Sequence, residues 1–163
     1  MKRILMIIFL FGASFTTPFV YCAWGTEIYI PPLKGKSGQS IEVPIMIDKV
    51  DNLAGVKLVM SYDPDIFIFE KGTKSSQTDA LMHIVNDKNP GRLILVMAGA
   101  RGIKGRDFPV LYLTFKIKEG LKGNHTTEIK IKEVQLMSDD LKEIETKTVS
   151  NPITILPATT LEP

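Results

Sequence analysis

Asn52–Phe69 reads NLAGVKLVMSYDPDIFIF, and its reading decides the fold. Val56, Leu58, Met60 and Tyr62 alternate with Lys57, Val59 and Ser61. A period of two places the first set on the core face of a strand and the second on its opposite face. Asp63-Pro64 then forces a corner, because proline fixes its own φ and biases the residue before it away from helix. Beyond the corner, Ile66–Phe69 reads as a further short strand, followed by a polar loop from Lys71 to Asp79.

Upstream, Ile28 and Ile30 alternate with Glu27 and Tyr29 until Pro31-Pro32 bends the chain. After a GKSGQ turn at residues 35–39, Ile41, Val43, Ile45 and Ile47 share one face of a strand. Pro44 lacks an N–H and places that stretch at an edge or a bulge. Downstream, Leu81–Val85 and Arg92–Ala98 flank the turn formers NDKNPG and predict a hairpin. Leu93, Leu95 and Met97 face inward there, leaving Ile94 and Val96 on the other face. With nothing to cover it, that apolar face marks a partner site.

Ala98–Gly105 (AGARGIKG) predicts a flexible or bulged connection. Phe108–Lys118 is a strand with Leu111, Leu113, Phe115 and Ile117 inward. Between Ile131 and Val134 the apolar phase slips, which predicts a bulge. Ser138–Glu145 is polar and suggests one helical turn, Val149–Leu156 closes the fold, and residues 157–163 form a loose tail. About nine short strands with turn-rich connections and no amphipathic helix define an all-β sandwich or barrel.

The first 22 residues stand apart. Lys2 and Arg3 precede an apolar run from Ile4 to Phe15 and a more polar segment with Pro18, the order of a secretory signal peptide. The run is shorter than the ~20 residues that span a bilayer. Cleavage after Cys22 puts Val20 at −3 and starts the mature chain at Ala23. Lipidation of Cys22 is the alternative, disfavoured by bulky Tyr21 before it, and is the one route to membrane attachment. Cleavage removes two of the 20 Lys+Arg and none of the 18 Asp+Glu, so the mature chain is formally neutral. A neutral chain carries no basic footprint for nucleic acid. The single cysteine also goes, which excludes disulfides and thiolate metal sites, and stability must come from a buried core.

No catalytic or cofactor motif appears. His83 and His125 lack metal-ligand spacing, and no serine sits in a nucleophile elbow. Asp63, Asp65 and Glu70 lack the spacing and glycine of a calcium loop, and Asp139-Asp140 reads as a solvated turn. Asn124-His125-Thr126 is a glycosylation sequon. The glycines of 98–105 lack the strand-turn-helix context that cradles phosphate.

The order GQSIEVPI, NLAGVKLVMSYDP, a short apolar strand, NPGRLILVMAGARG and PVLYLTFKIKEG resembles a cohesin domain across about residues 26–156. LAG followed by SYDP, and AGARG, are the most specific pieces. The resemblance implies a nine-stranded jelly-roll sandwich spanning residues 23–156 that binds dockerin modules through the sheet of its third, fifth, sixth and eighth strands. Carried onto this chain, the partner-binding positions are Gly55, Lys57, Val59 and Ser61, then Ile94 and Val96, with Gly99 and Arg101 in the loop beyond. Well-studied cellulosomal cohesins place an Asn and an Asp where this chain has Gly55 and Lys57, and lysine accepts no hydrogen bond, so a different contact surface is implied. Two other readings stay open. One is a carbohydrate-binding module using Tyr29 and Tyr112 to bind polysaccharide. The other is an adhesin-like subunit pairing through an edge strand.

Overall fold

A computed structural model describes residues 25–158. The expected signal peptide, Cys22 and Trp24 lie outside these residues, as does the end of the expected tail. Eleven strands and no helix make up the described chain: β1 (Thr26–Ile30), β2 (Leu33–Lys36), β3 (Ser40–Ser61), β4 (Phe67–Lys74), β5 (Met82–Asn86), β6 (Arg92–Ile117), β7 (His125–Thr127), β8 (Lys130–Met137), β9 (Glu143–Ile144), β10 (Thr146–Ser150) and β11 (Ile153–Leu156).

Two long antiparallel strands form the frame. The first half of β3 pairs with the second half of β6, from Ser40↔Lys116 to Val50↔Gly105. Its second half pairs with the first half of β6, from Gly55↔Ala98 to Ser61↔Arg92. Between them the register breaks on both sides of Leu53↔Ile103, where DNLAG meets the AGARG stretch. Here the sequence reading needs correction: four short strands are two long bent ones. The glycine-rich segment bulges without ending the strand, because ladder pairing resumes at Ile103. The bulged connection expected over Ala98–Gly105 is present, in residues 99–102 between Ala98↔Gly55 and Ile103↔Leu53.

The bend produces two layers. One joins β10, β1, the first half of β3, the second half of β6, and β4; the other joins β9, β8, the second half of β3, the first half of β6, and β5. β2, β11 and β7 form a small third sheet. Strand pairs at the two ends of the described chain run parallel, β1 with β10 and β2 with β11. Pro31-Pro32 and Asn151-Pro152 therefore interrupt neighbouring strands together, and Asn151 Nδ2 donates to the Ile30 carbonyl at 2.9 Å. This is an all-β jelly-roll sandwich, with eleven strands among the described residues against the nine expected.

The alternation assigned the core correctly. Ile41, Val43, Ile45, Ile47, Val56, Leu58, Met60, Tyr62, Leu93, Leu95, Met97, Leu111, Leu113, Phe115 and Ile117 are all buried in one cluster. Phe115 is its aromatic centre, with Tyr62, Phe67 and Phe69 at 5.1, 5.6 and 5.5 Å between ring centroids. Tyr62 ends one layer and Phe115 lies in the other, so this edge-to-face contact joins the layers. The corner after Tyr62 is fixed by Asp63: its carbonyl accepts from Ile66 and Phe67 N–H, and its carboxylate accepts from Asp65 N–H at 2.9 Å.

The bulge expected near Ile131 is present, since Val59 pairs with Glu133 and Met60 with Ile131, leaving Lys132 extra. Pro44 lies one residue before another register shift, at Ile45/Met46, and its neighbour β1 reaches only to Met46. Two expectations fail. The polar loop begins only after Lys74, because β4 continues through a bulge at Phe69/Lys71. Ser138–Glu145 forms a tight turn and β9 rather than a helical turn. The Ser138 N–H donates to the Lys142 carbonyl at 2.9 Å and the Ser138 hydroxyl accepts from the Lys142 N–H at 3.0 Å, which closes the turn before helix can propagate.

Candidate functional site: the outer face of β8, β3, β6 and β5

Pairing registers place the outward side chains of four strands in rows. Met82, Ala98, Gly55 and Met137 form the first row; Ile84, Val96, Lys57 and Gln135 the second; Asn86, Ile94, Val59 and Glu133 the third. Arg92, Ser61 and Lys130 close the field below. Six of the eight residues expected at the partner surface, Gly55, Lys57, Val59, Ser61, Ile94 and Val96, thus share one face.

Their exposure differs in ways alternation alone does not reveal. Val96 is 43% exposed and Ile94 is half-buried. Val59 is only 6% exposed although it lies outside the core cluster, so its neighbours on the face cover it. Gly55 leaves room for the side chain across the β3–β8 ladder, since a Cβ there would stand 3.1 Å from Met137 Cβ. The remaining two positions sit elsewhere. Gly99 follows outward-facing Ala98 and turns toward Leu81, whose Cδ2 a Cβ would overlap. Arg101 is exposed within the bulge that separates Ala98 from Ile103.

Met82 and Ile84 are the residues that sequence reasoning missed. They are 77% and 70% exposed, the most exposed large apolar side chains of the field. Leu81–Val85 is nearly apolar throughout, so its own alternation gives no phase. Only the pairing of Ile84 with Val96 and Met82 with Ala98 sets it.

Lys57 is exposed at the centre of this field, and its ammonium makes no ion pair or hydrogen bond with any described residue. Glu133, the nearest acid in the lattice, is diagonal to it across β3 and β8. Diagonal positions lie about 7–8 Å apart at the backbone, and no Lys57–Glu133 ion pair forms.

The other candidate chemistry resolves into structure. His83 Nε2 lies 3.3 Å from the Gly72 carbonyl and His125 Nε2 lies 3.0 Å from that of Lys122. Among the described residues no group of three His, Cys, Asp or Glu side chains could hold a metal. Asp139 is more than a solvated turn residue: it accepts from Asn52 Nδ2 at 2.6 Å and from Gly102 N–H at 3.3 Å, tying the two strand bends together. Tyr29 and Tyr112 lie on the opposite sheet, half-buried, beside Met46 and Pro44. Every aromatic side chain among the described residues is buried or half-buried, which leaves no exposed stacking strip there.

A jelly-roll sandwich that exposes an apolar sheet face has the form of a binding module. The family model described as the cohesin domain matches residues 26–155, and the chain belongs to that family. Cohesin domains are non-catalytic protein-interaction modules. No curated relative matches the chain. Among solved structures it is similar to a non-cellulosomal cohesin from the hyperthermophilic archaeon Archaeoglobus fulgidus, with 18% identity, TM-score 0.72 and coverage of 81% of this chain and 91% of that one. It is also similar to a chain of the Coh-OlpC–Doc435 complex from Clostridium thermocellum, a type I cohesin–dockerin complex, with 20% identity, TM-score 0.71 and coverage of 82% and 94%. CaCohA2 from Clostridium acetobutylicum gives 18% identity, TM-score 0.69 and coverage of 81% and 91%. At such identities the likeness establishes the shared fold.

Proposed function

We propose that this chain is an exported cohesin module that docks a dockerin-like protein on the outer face of β8, β3, β6 and β5, assembling extracellular or envelope complexes. The observation that carries this reading is the apolar field of Met82, Ile84, Val96 and Ala98 on an otherwise uncovered sheet. Burying such side chains under a partner contributes about 25 cal/mol per Å² of apolar surface, before the cost of ordering the complex. Dockerins in complex with similar cohesins support the partner class. Export rests on the leader-like residues 1–22, and a role in polysaccharide breakdown rests on the extracellular setting usual for the family.

Affinity capture from the source organism's secreted and envelope fractions tests this reading, using the wild type and an Ile84→Asp, Val96→Asp double variant as baits. Recovery of a dockerin-bearing protein by the wild type alone supports it. Equal recovery by both baits refutes the face. Binding to polysaccharide arrays with no protein partner would favour a carbohydrate module instead.

A further inference from the structure

We infer that the partner of this face must bring a carboxylate to Lys57, so that a single lysine selects acid-bearing partners from the wider class; this rests on the docking reading above. Lys57 occupies the middle of a three-by-three lattice. Gly55 and Val59 flank it along β3, Ala98, Val96 and Ile94 stand on β6, and Met137, Gln135 and Glu133 stand on β8. Six of these eight neighbours are apolar or glycine. In the free protein the ammonium is exposed and solvated. A partner that covers Ile84 and Val96 also covers Lys57, because Val96 pairs with both residues.

Covering the ammonium without a partner charge removes its hydration and returns nothing. Two groups on the face could offset that loss, Gln135 and Glu133. Gln135 supplies a neutral carbonyl at most. Glu133 lies on the diagonal next to Lys132, on the exposed lower edge that also carries Arg92, while Lys130 there is paired with Glu128. Swinging it inward would take it from that edge and from water, so it is a poor counter-ion. Snorkelling of the lysine stem is blocked once the partner spans the row on both sides. The remaining source of negative charge is the partner. Partners presenting Lys or Arg to this point are rejected by like-charge repulsion, and those presenting an apolar residue leave a buried unpaired charge.

The test is a selection. A dockerin module is displayed on yeast with its contact surface randomised, and binders are selected against the full chain and against a full-chain Lys57→Glu variant. Wild-type bait is expected to enrich Asp or Glu at one contact position. The Lys57→Glu bait is expected to enrich Lys or Arg at that same position. Acid-bearing binders should lose about 30-fold or more in affinity for Lys57→Met, corresponding to the ~2 kcal/mol of a truncated interfacial charge pair. They should keep or gain affinity for Glu133→Gln. Enrichment without charge bias, or equal losses for Lys57→Met and Glu133→Gln, would overturn the acid requirement; if those binders still fail on Ile84→Asp, Val96→Asp, the docking face stands. Binders that retain affinity for that double variant, or failure to enrich any binder, would overturn the docking face itself.

Discussion

Thr78 donates its hydroxyl proton to the Val110 carbonyl at 2.7 Å, and Val110 is the residue that the β3–β6 ladder skips. Ile45 pairs with Leu111 and Met46 with Pro109, so the bulge leaves the intervening peptide without a ladder partner. Thr78 is fully buried and also accepts from Ser75 N–H at 3.2 Å. Thr78→Val keeps the shape and removes both bonds, stranding a buried carbonyl. Chemical denaturation should show a loss of about 1–3 kcal/mol, whereas Ser76→Ala, at an exposed neighbour, should change little.

Gly102 packs tightly against Asn52 in the bend of the other long strand. A Cβ there would overlap Asn52 Oδ1 and stand 3.0 Å from Asn52 Cα. Gly102→Ala must therefore push Asn52 away from Asp139 and break the tie between the bends. The expected cost is about 1–3 kcal/mol. Asp139→Ala removes the same tie without the clash and should cost less, about 1 kcal/mol. Thermal melts of the two variants order them.

Leu141 adopts φ 62° at the tip of the Ser138–Lys142 turn and is 82% exposed. The left-handed region costs a residue with a Cβ about 1–2 kcal/mol, and this leucine gains no burial in return. Leu141→Gly should raise stability by up to about 1 kcal/mol, read as an increased denaturation midpoint.

In the same turn, hydrogen bonding to the Lys142 ammonium, followed by that to the Ser138 hydroxyl, lowers the pKa of Asp140. A lowered folded-state pKa stabilises the protein above the unfolded value of about 3.9, and the contribution is lost as pH falls through the folded value. An NMR titration of the Asp140 carboxyl should give a midpoint below the ordinary one. Lys142→Met should move that midpoint upward; an unmoved midpoint would contradict this cause.

Period-two patterning revealed the core because burial of one strand face is a local property, visible in every second residue from Ile41 to Ile47 and from Val56 to Tyr62. Strand continuity was less legible. DNLAG and AGARG carry turn chemistry, yet the strands do not end there: pairing lapses over residues 99–102 and resumes at Ile103, since the other long strand bends at the same level. The face was readable from Ile94 and Val96, but Met82 and Ile84 were not, because their orientation comes from a cross-strand register. Val59 shows the converse limit: its phase is outward, and its neighbours bury it all the same.

Calorimetric titration of dockerin modules into the full chain and into its Ile84→Asp, Val96→Asp variant tests the docking face most directly. Both substitutions lie on the exposed field, so the melting temperatures of the two proteins should agree. A dockerin that binds the wild type should bind the variant about 100-fold more weakly or worse, as expected when two central apolar contacts become buried carboxylates. Equal affinity for both proteins would contradict the account.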